Sequence, residues 1–280
     1  MAAEAILGAV LAVMTSGALA LKWQLGLGRS VAATAILAIG PALAVALVAP
    51  PGRLLAVAAV WAMTLLLAAG VVAHRFYRDP DRTPPAGDAD VVVSPADGTV
   101  VYVRRSTGGR LPSSTKLGRD YSLDELTRTP LHRADAVVIG IALSFLDVHV
   151  NRAPVAGRIV EQSHHPGRFA SLRRPEAVLE NERATIVLES GGRELAVVLI
   201  ASRLVRRIVT FLEDGAYVGL GQRIGVIRFG SQVDLVVPDD RALTVAVAPG
   251  DRVVAGVTIV ARTADGTLGP STPATAQVRG

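Results

Sequence analysis

Cysteine is absent from the 280 residues, which agrees with a reducing compartment and leaves no thiolate to bind zinc. The histidines (His74, His132, His149, His164 and His165) include no H-x-x-x-H or H-E-x-x-H spacing, so no metal is expected. Neither a Walker A motif nor a G-x-G-x-x-G fingerprint occurs, so no nucleotide is expected. Aromatic residues make up 4% of the chain and are not interleaved with the basic ones. Despite a pI near 10.2, this argues against nucleic acid as a partner. The only lysines are Lys22 and Lys116, which leaves a swinging-arm carrier without an attachment point at a hairpin tip.

Charge is missing where it matters most. Residues 31–49 and 54–73 hold no charged side chain, and each is close to the ~20 residues a helix needs to cross a bilayer. Only Pro50-Pro51-Gly52-Arg53 separates them, which predicts a helical hairpin in lipid. Residues 5–21 are a shorter third candidate, and no basic residue precedes them as a secretory signal would require. Lys22 and Arg29 precede the second run, and Arg75, Arg78 and Arg82 follow the last. The positive-inside rule therefore places everything after residue 74 on the cytoplasmic face of the cell (inner) membrane. The net charge of +5 suits an anionic membrane surface. Phe76-Tyr77-Arg78-Asp79-Pro80-Asp81-Arg82 reads as interfacial anchors followed by a helix stop, giving a membrane anchor over 1–78 and a second domain over 79–264. The Thr/Pro/Gly-rich tail, 265–280, is expected to be disordered.

What is present beyond residue 79 is β pattern. Strands are predicted at 91–93, 99–105, 136–143, 157–162, 184–189, 194–200, 206–212, 223–229, 233–237, 243–247 and 257–262. Ser122 is placed to cap one short helix, and residues 106–120 read as a flexible surface loop. Two phrases recur: Pro95, Gly98, Val100 and Val101 as Pro154, Gly157, Ile159 and Val160, and Gly215, Val218, Gly221 and Ile224 as Gly250, Val253, Gly256 and Ile259. The expected fold is a mainly β (α+β) domain with lipoyl/biotinyl-like β-hairpin repeats, preceded by two or three N-terminal transmembrane helices.

Three polar clusters interrupt this pattern. Asp97 lies in Ser94-Pro95-Ala96-Asp97-Gly98, where a turn aspartate bonding its own backbone is the plain alternative to a chemical role. His149 lies in Leu146-Asp147-Val148-His149-Val150-Asn151-Arg152, where the plain alternative is a buried core histidine. Gly230-Ser231 lies between two predicted strands, 223–229 and 233–237, and reads either as a hairpin turn or as a bond the protein cuts in itself. A serine hydrolase built from Asp97, His149 and Ser231 is a further reading, but it lacks a G-x-S-x-G elbow. A tethered adaptor without chemistry is another.

These phrases, with His165-Pro166-Gly167-Arg168-Phe169, Glu180-Asn181-Glu182-Arg183, Val205-Arg206-Arg207-Ile208-Val209 and Gly221-Gln222-Arg223-Ile224-Gly225 running into Phe229-Gly230-Ser231, together resemble the shorter form of the phosphatidylserine decarboxylase family over about 76–262. The resemblance implies self-cleavage between Gly230 and Ser231 into a β chain, 1–230, and an α chain, 231–280. Ser231 then becomes a pyruvoyl cofactor that condenses with the amine of phosphatidylserine in the membrane. It implies Asp97 as orienter and His149 as base, and it leaves a homodimer open. His165, Arg206 and Arg207 are possible substrate-binding positions. Longer bacterial members carry a second histidine where this chain has Arg152, so either His149 does both proton transfers or His165 or water takes one.

Overall fold

The computed structural model describes residues 2–23, 25–48, 50, 52–85, 90–111, 121–129, 131, 135–170, 172, 177–202, 208–227, 232–239 and 243–263. The chain divides into two compact units: residues 1–78 with 144–147, and residues 79–143 with 148–280. The expected tail lies outside the described residues.

In the first unit four helices form from the uncharged runs: α1 (Ala2–Trp23), α2 (Leu27–Leu37), α3 (Ile39–Val48) and α4 (Arg53–Tyr77). Three stretches are long and apolar enough to cross a membrane: α1, α2 with α3, and α4. The break at Ala38 has a local cause, because Pro41 has no N–H to donate back to Leu37. Small residues set the helix packing. A Cβ on Gly8 would lie 2.6 Å from the Val57 carbonyl oxygen, so glycine there lets α1 approach α4. Large apolar side chains such as Leu47, Leu54 and Leu66 point outward, as lipid-facing residues do. The short segment 144–147 belongs to this unit. Phe145 stacks on Trp23 with ring centroids 5.9 Å apart and tilts against Phe76 at 5.6 Å, while Arg78 Nη2 donates to the Leu146 carbonyl at 3.2 Å.

The second unit is mainly β. In chain order its strands are β1 (Val91–Val93), β2 (Gly98–Arg105), β3 (Arg110–Leu111), β4 (Tyr121–Ser122), β5 (Ala136–Ala142), β6 (Val150–Arg152), β7 (Gly157–His165) and β8 (Arg183–Ser190). They continue with β9 (Arg193–Ile200), β10 (Ile208–Thr210), β11 (Tyr217–Val218), β12 (Arg223–Ile227), β13 (Gln232–Pro238), β14 (Leu243–Val245), β15 (Arg252–Val253) and β16 (Ile259–Thr263). Two short helices, α5 (Leu123–Thr127) and α6 (Ala177–Glu180), complete it. Ser122 caps α5 as its sequence requires: its side chain accepts from the Glu125 N–H, and the Glu125 carboxylate accepts from the Ser122 N–H. The loop expected at 106–120 instead contains β3, which pairs with β4 and buries Leu111; residues 112–120 lie outside the described residues.

The two recurring phrases are the signature of a duplicated fold. The large sheet runs β11-β7-β8-β9-β13-β5-β2-β15, and the two three-stranded sheets run β1-β16-β14 and β6-β12-β10. Reading the large sheet from either end gives the same sequence of partners: β15 with β11, β2 with β7, β5 with β8, and β13 with β9. One half is built from β1, β2, β5 and β13 to β16, and the other from β6 to β12, inserted between β5 and β13. Even the irregularities match. β2 bulges between Val100 and Tyr102, and β7 between Ile159 and Glu161. A Cβ on Gly98 would sit 2.4 Å from the Ala142 carbonyl oxygen, and one on Gly157 would sit 2.3 Å from that of Glu189. Gly157→Ala is therefore expected to cost about 1–3 kcal/mol of stability, read as a lowered thermal midpoint.

The main core fills the space between the large sheet and the small sheets, with Ile141, Leu188, Leu195 and Val233 from one side and Ile224, Ile227 and Val260 from the other. A second cluster, including Leu111, Leu126, Val138, Val198 and Val236, packs on the opposite face of the large sheet. The hairpin expected around Gly230-Ser231 does not form. β12 pairs with β10 and β6, whereas β13 pairs with β5 and β9, so the two strands lie in different sheets. Gly230 and Ser231 themselves lie outside the described residues. The chain passes from the first half to the second through residues 143–149 and returns through 228–231. These two crossovers hold His149 and the Gly230-Ser231 bond.

Candidate active site

Strand register fixes the surroundings of the second crossover from both sides. On its N-terminal side, β12 lies against β6 with Val226 opposite Val150, and the Ile227 N–H donates to the His149 carbonyl at 3.1 Å. His149 is thus held beside the last strand residue before 228–231. It is 2% exposed, so its ring is inside the fold. On the C-terminal side, Gln232 opens β13 opposite Ala142 of β5, which is itself opposite Thr99 of β2. Thr99 follows Asp97 by two residues.

Asp97 is anchored to the same ensemble. The Arg152 N–H and the Asn151 side-chain amide both donate to the Pro95 carbonyl, at 2.9 and 3.4 Å, joining the Asp97 turn to β6. The local hydrogen bonds of that turn come from Ser94, whose hydroxyl donates to the Ala96 carbonyl at 2.7 Å. The Asp97 carboxylate faces elsewhere. It receives both Nη atoms of Arg82 at 2.6 and 2.8 Å, and its Oδ1 also accepts from the Ala255 N–H at 2.8 Å. This bidentate pair is nearly closed to solvent. The equivalent position in the other half is Ala156, so the carboxylate is not a requirement of the fold.

Arg152 is a structural cross-link. Its guanidinium donates to the Gly221 carbonyl at 3.0 Å, the Pro80 carbonyl at 2.9 Å and Asp79 at 3.3 Å. Burial, then Arg223 and Arg82, push its pKa down. His165 closes β7 opposite Arg183, and the row continues through Ile200 to Gln232. Three strand spacings place it about 14 Å from Gln232, at the same end of the sheet. Burial and the nearby Arg128 and Arg183 lower its pKa. Arg206 and Arg207 lie outside the described residues.

Sequence reasoning missed several residues here. Arg82 read as an interfacial anchor, yet it belongs to the second unit and is spent on Asp97. Gln232, Tyr102 and Asp234 form a buried polar group next to the second crossover. Tyr102 Oη donates to Asp234 Oδ2 at 2.6 Å, and Gln232 Nε2 donates to Asp234 Oδ1 at 2.7 Å. Asp234 is wholly buried in the central strand, and burial drives its pKa up to about 6, against the opposing pull of its hydrogen bonds and of Arg183 and Arg104. With a folded pKa above 3.8, this carboxyl favours the fold while protonated. That contribution is whole below pH 3.8 and is lost as pH rises through 6, a change on the order of 3 kcal/mol. Asp234→Asn is expected to flatten the fall in thermal midpoint between about pH 4 and pH 6.5.

Comparison with known proteins matches the sequence to a family. The sequence model of phosphatidylserine decarboxylase fits residues 71–261, a span that takes in Arg82, Asp97, His149, Gly230 and Ser231. The chain belongs to the phosphatidylserine decarboxylase family. It is 41% identical over 188 residues to a phosphatidylserine decarboxylase proenzyme of Pelobacter propionicus, covering 67% of this chain and 74% of the relative. A putative archaetidylserine decarboxylase proenzyme of Methanothermobacter thermautotrophicus is also 41% identical over 188 residues, covering 67% and 79%. A phosphatidylserine decarboxylase proenzyme of Trichlorobacter lovleyi is 39% identical over 202 residues, covering 72% and 80%. As a family member the protein is an enzyme, a decarboxylase.

Proposed function

We propose that this decarboxylase acts on phosphatidylserine, releasing carbon dioxide and phosphatidylethanolamine, after cutting its own chain between Gly230 and Ser231. The observation that supports the reading is the Ile227 N–H bond to the His149 carbonyl, which holds the backbone of this buried histidine beside the last described residue before 228–231. His149 takes the Ser231 hydroxyl proton as Oγ attacks the Gly230 carbonyl carbon. The amide becomes an ester and the residue-231 nitrogen becomes an amine. Removal of the residue-231 Hα then expels the Gly230 carboxylate, ending the β chain. Water replaces the nitrogen of the resulting dehydroalanine, ammonia leaves, and a pyruvoyl group heads the α chain. Asp97, tied through Pro95 to the strand that follows His149, acts as the orienter.

The flanks of the cut suit such a group, because Ile227 and Gln232 are each fixed in a strand on either side of it. The pyruvoyl carbonyl supplies the electron sink for the pair left behind by carbon dioxide. His149 then returns a proton to the substrate carbon, because Arg152 is committed to Asp79, Pro80 and Gly221. The apolar helices give a lipid enzyme an anchor in the layer that holds its substrate, with the second unit on the cytoplasmic face.

The test is the intact mass of purified protein. Two polypeptides, 1–230 and 231–280 with a blocked N-terminus on the second, are expected, and active protein made of one uncut chain would refute the reading. Ser231→Ala should remain whole and release no carbon dioxide. Assays with diester and diether serine lipids in parallel separate the two substrate names carried by the relatives, since both lipids present the same serine headgroup.

A further inference from the structure

The duplication provides an internal control for which residues the fold needs. Register pairs each position of one half with one of the other: Gly140 with Val187, Asp234 with Ala196, Tyr102 with Glu161 and Gln232 with Glu194. In the inserted half the two central positions are Ala196 and Val187, both buried. The same place in the sheet can thus be filled with apolar side chains, a substitution that generally costs nothing and often stabilises. The half that begins again just after the cleavage bond instead keeps a carboxylate there. It also keeps a glycine opposite, without which the arrangement could not exist: a Cβ on Gly140 would fall 2.5 Å from the Tyr102 ring.

The group converges on Gln232, the residue after Ser231. Its amide Nε2 donates to Asp234 Oδ1 at 2.7 Å and to Tyr102 Oη at 2.9 Å, while Tyr102 Oη donates to Asp234 Oδ2 at 2.6 Å. The three side chains close a ring of hydrogen bonds with every member buried or half-buried. The Arg104 guanidinium lies 4.3 Å over the Tyr102 ring and steadies it from outside.

We propose that Tyr102, Asp234 and Gln232 form a latch that holds residue 231 in register, first as the attacking serine and then as the group made from it. They are positioning residues: they act through the backbone of Gln232 and not on the reacting atoms. The inference rests on the cleavage reading above. A near-attack geometry requires the serine Oγ to be held against the preceding carbonyl. Freedom at the residue that follows would dilute that geometry among unproductive conformers.

The experiment follows self-cleavage of freshly synthesised precursor by gel, alongside thermal midpoints, in wild type, Tyr102→Phe, Gln232→Met and a control, Val236→Ala. Val236 shares the strand and face but lies outside the ring of hydrogen bonds. The latch variants are expected to cleave at least tenfold more slowly, with Tyr102→Phe and Gln232→Met together little worse than either alone. Val236→Ala should lower the midpoint as much or more and cleave at the wild-type rate. Wild-type cleavage rates in both latch variants would overturn the latch, as would a slowing in Val236→Ala equal to theirs. A wild type that never cuts at 230/231 would overturn the cleavage reading itself, a result distinct from either.

Discussion

His149→Ala is expected to leave the precursor uncut, with cleavage slowed about 10²–10⁴-fold, the range a positioned acid–base group provides. The argument is positional. His149 is bonded through its own carbonyl to the last residue of β12, and the chain reaches Gly230 three residues later. Any proton leaving Ser231 needs an acceptor there. Arg152, three residues on at the end of β6, is a cation bonded to two carbonyls and a carboxylate. The variant should fold, because the backbone bond between residues 149 and 227 does not depend on the side chain. A far-ultraviolet spectrum matching wild type, with one band on a denaturing gel, is the expected pair of observations. A normally processed His149→Ala would remove His149 from the cleavage step.

The second large effect is expected at Arg82. Replacing it by methionine leaves the Asp97 carboxylate inside the fold with the Ala255 N–H but without its bidentate partner. Stranding one member of a buried ion pair costs about 3–5 kcal/mol. The loss should appear as a reduced denaturant midpoint and as slower cleavage. Arg82→Lys should recover part of the stability, since a lysine can meet one carboxylate oxygen but not both. Asp97→Ala in the Arg82→Met background should recover stability without recovering cleavage. That outcome would separate the role of the carboxylate in the fold from the orienting role proposed for it.

Much of the secondary structure could be read directly from the chain. Each of the eleven predicted strands has a counterpart among the described residues, though 206–212 and 243–247 shrink to Ile208–Thr210 and Leu243–Val245; runs such as Ala136–Ala142 and Arg193–Ile200 are long enough to show their β-branched pattern. The strands that went unread, β3, β4, β6, β11 and β15, have two or three residues each, too few for any periodicity. Pairing was harder. Alternation marks Arg223–Ile227 and Gln232–Pro238 as strands but carries no information about partners. Adjacency suggested a hairpin, yet β13 closes on β5, whose residues lie some ninety positions earlier. The repeats were visible, but their meaning required register: only the pairing of Val253 with Gly98 and of Val218 with Gly157 shows two halves of one design. At the candidate site, the Arg82–Asp97 pair had no sequence signal beyond two charged residues fifteen positions apart. The Asp234 group was hidden within what read as a plain apolar strand.

The insertion of one half inside the other decides what a cut at 230/231 can do. Three of the four strands after the cut pair with strands before it: β13 between β5 and β9, β15 beside β2, and β16 beside β1, with β14 following on the free edge of β16. Breaking the chain at that one point would therefore not separate the products. The short chain leaves only if the central sheet is torn open along both edges of β13. The proposed maturation would change the covalent count of the molecule while the strand pairing keeps the two products together. The two chains should travel together through native purification and part only in denaturant, held by strand pairing where the covalent link is gone.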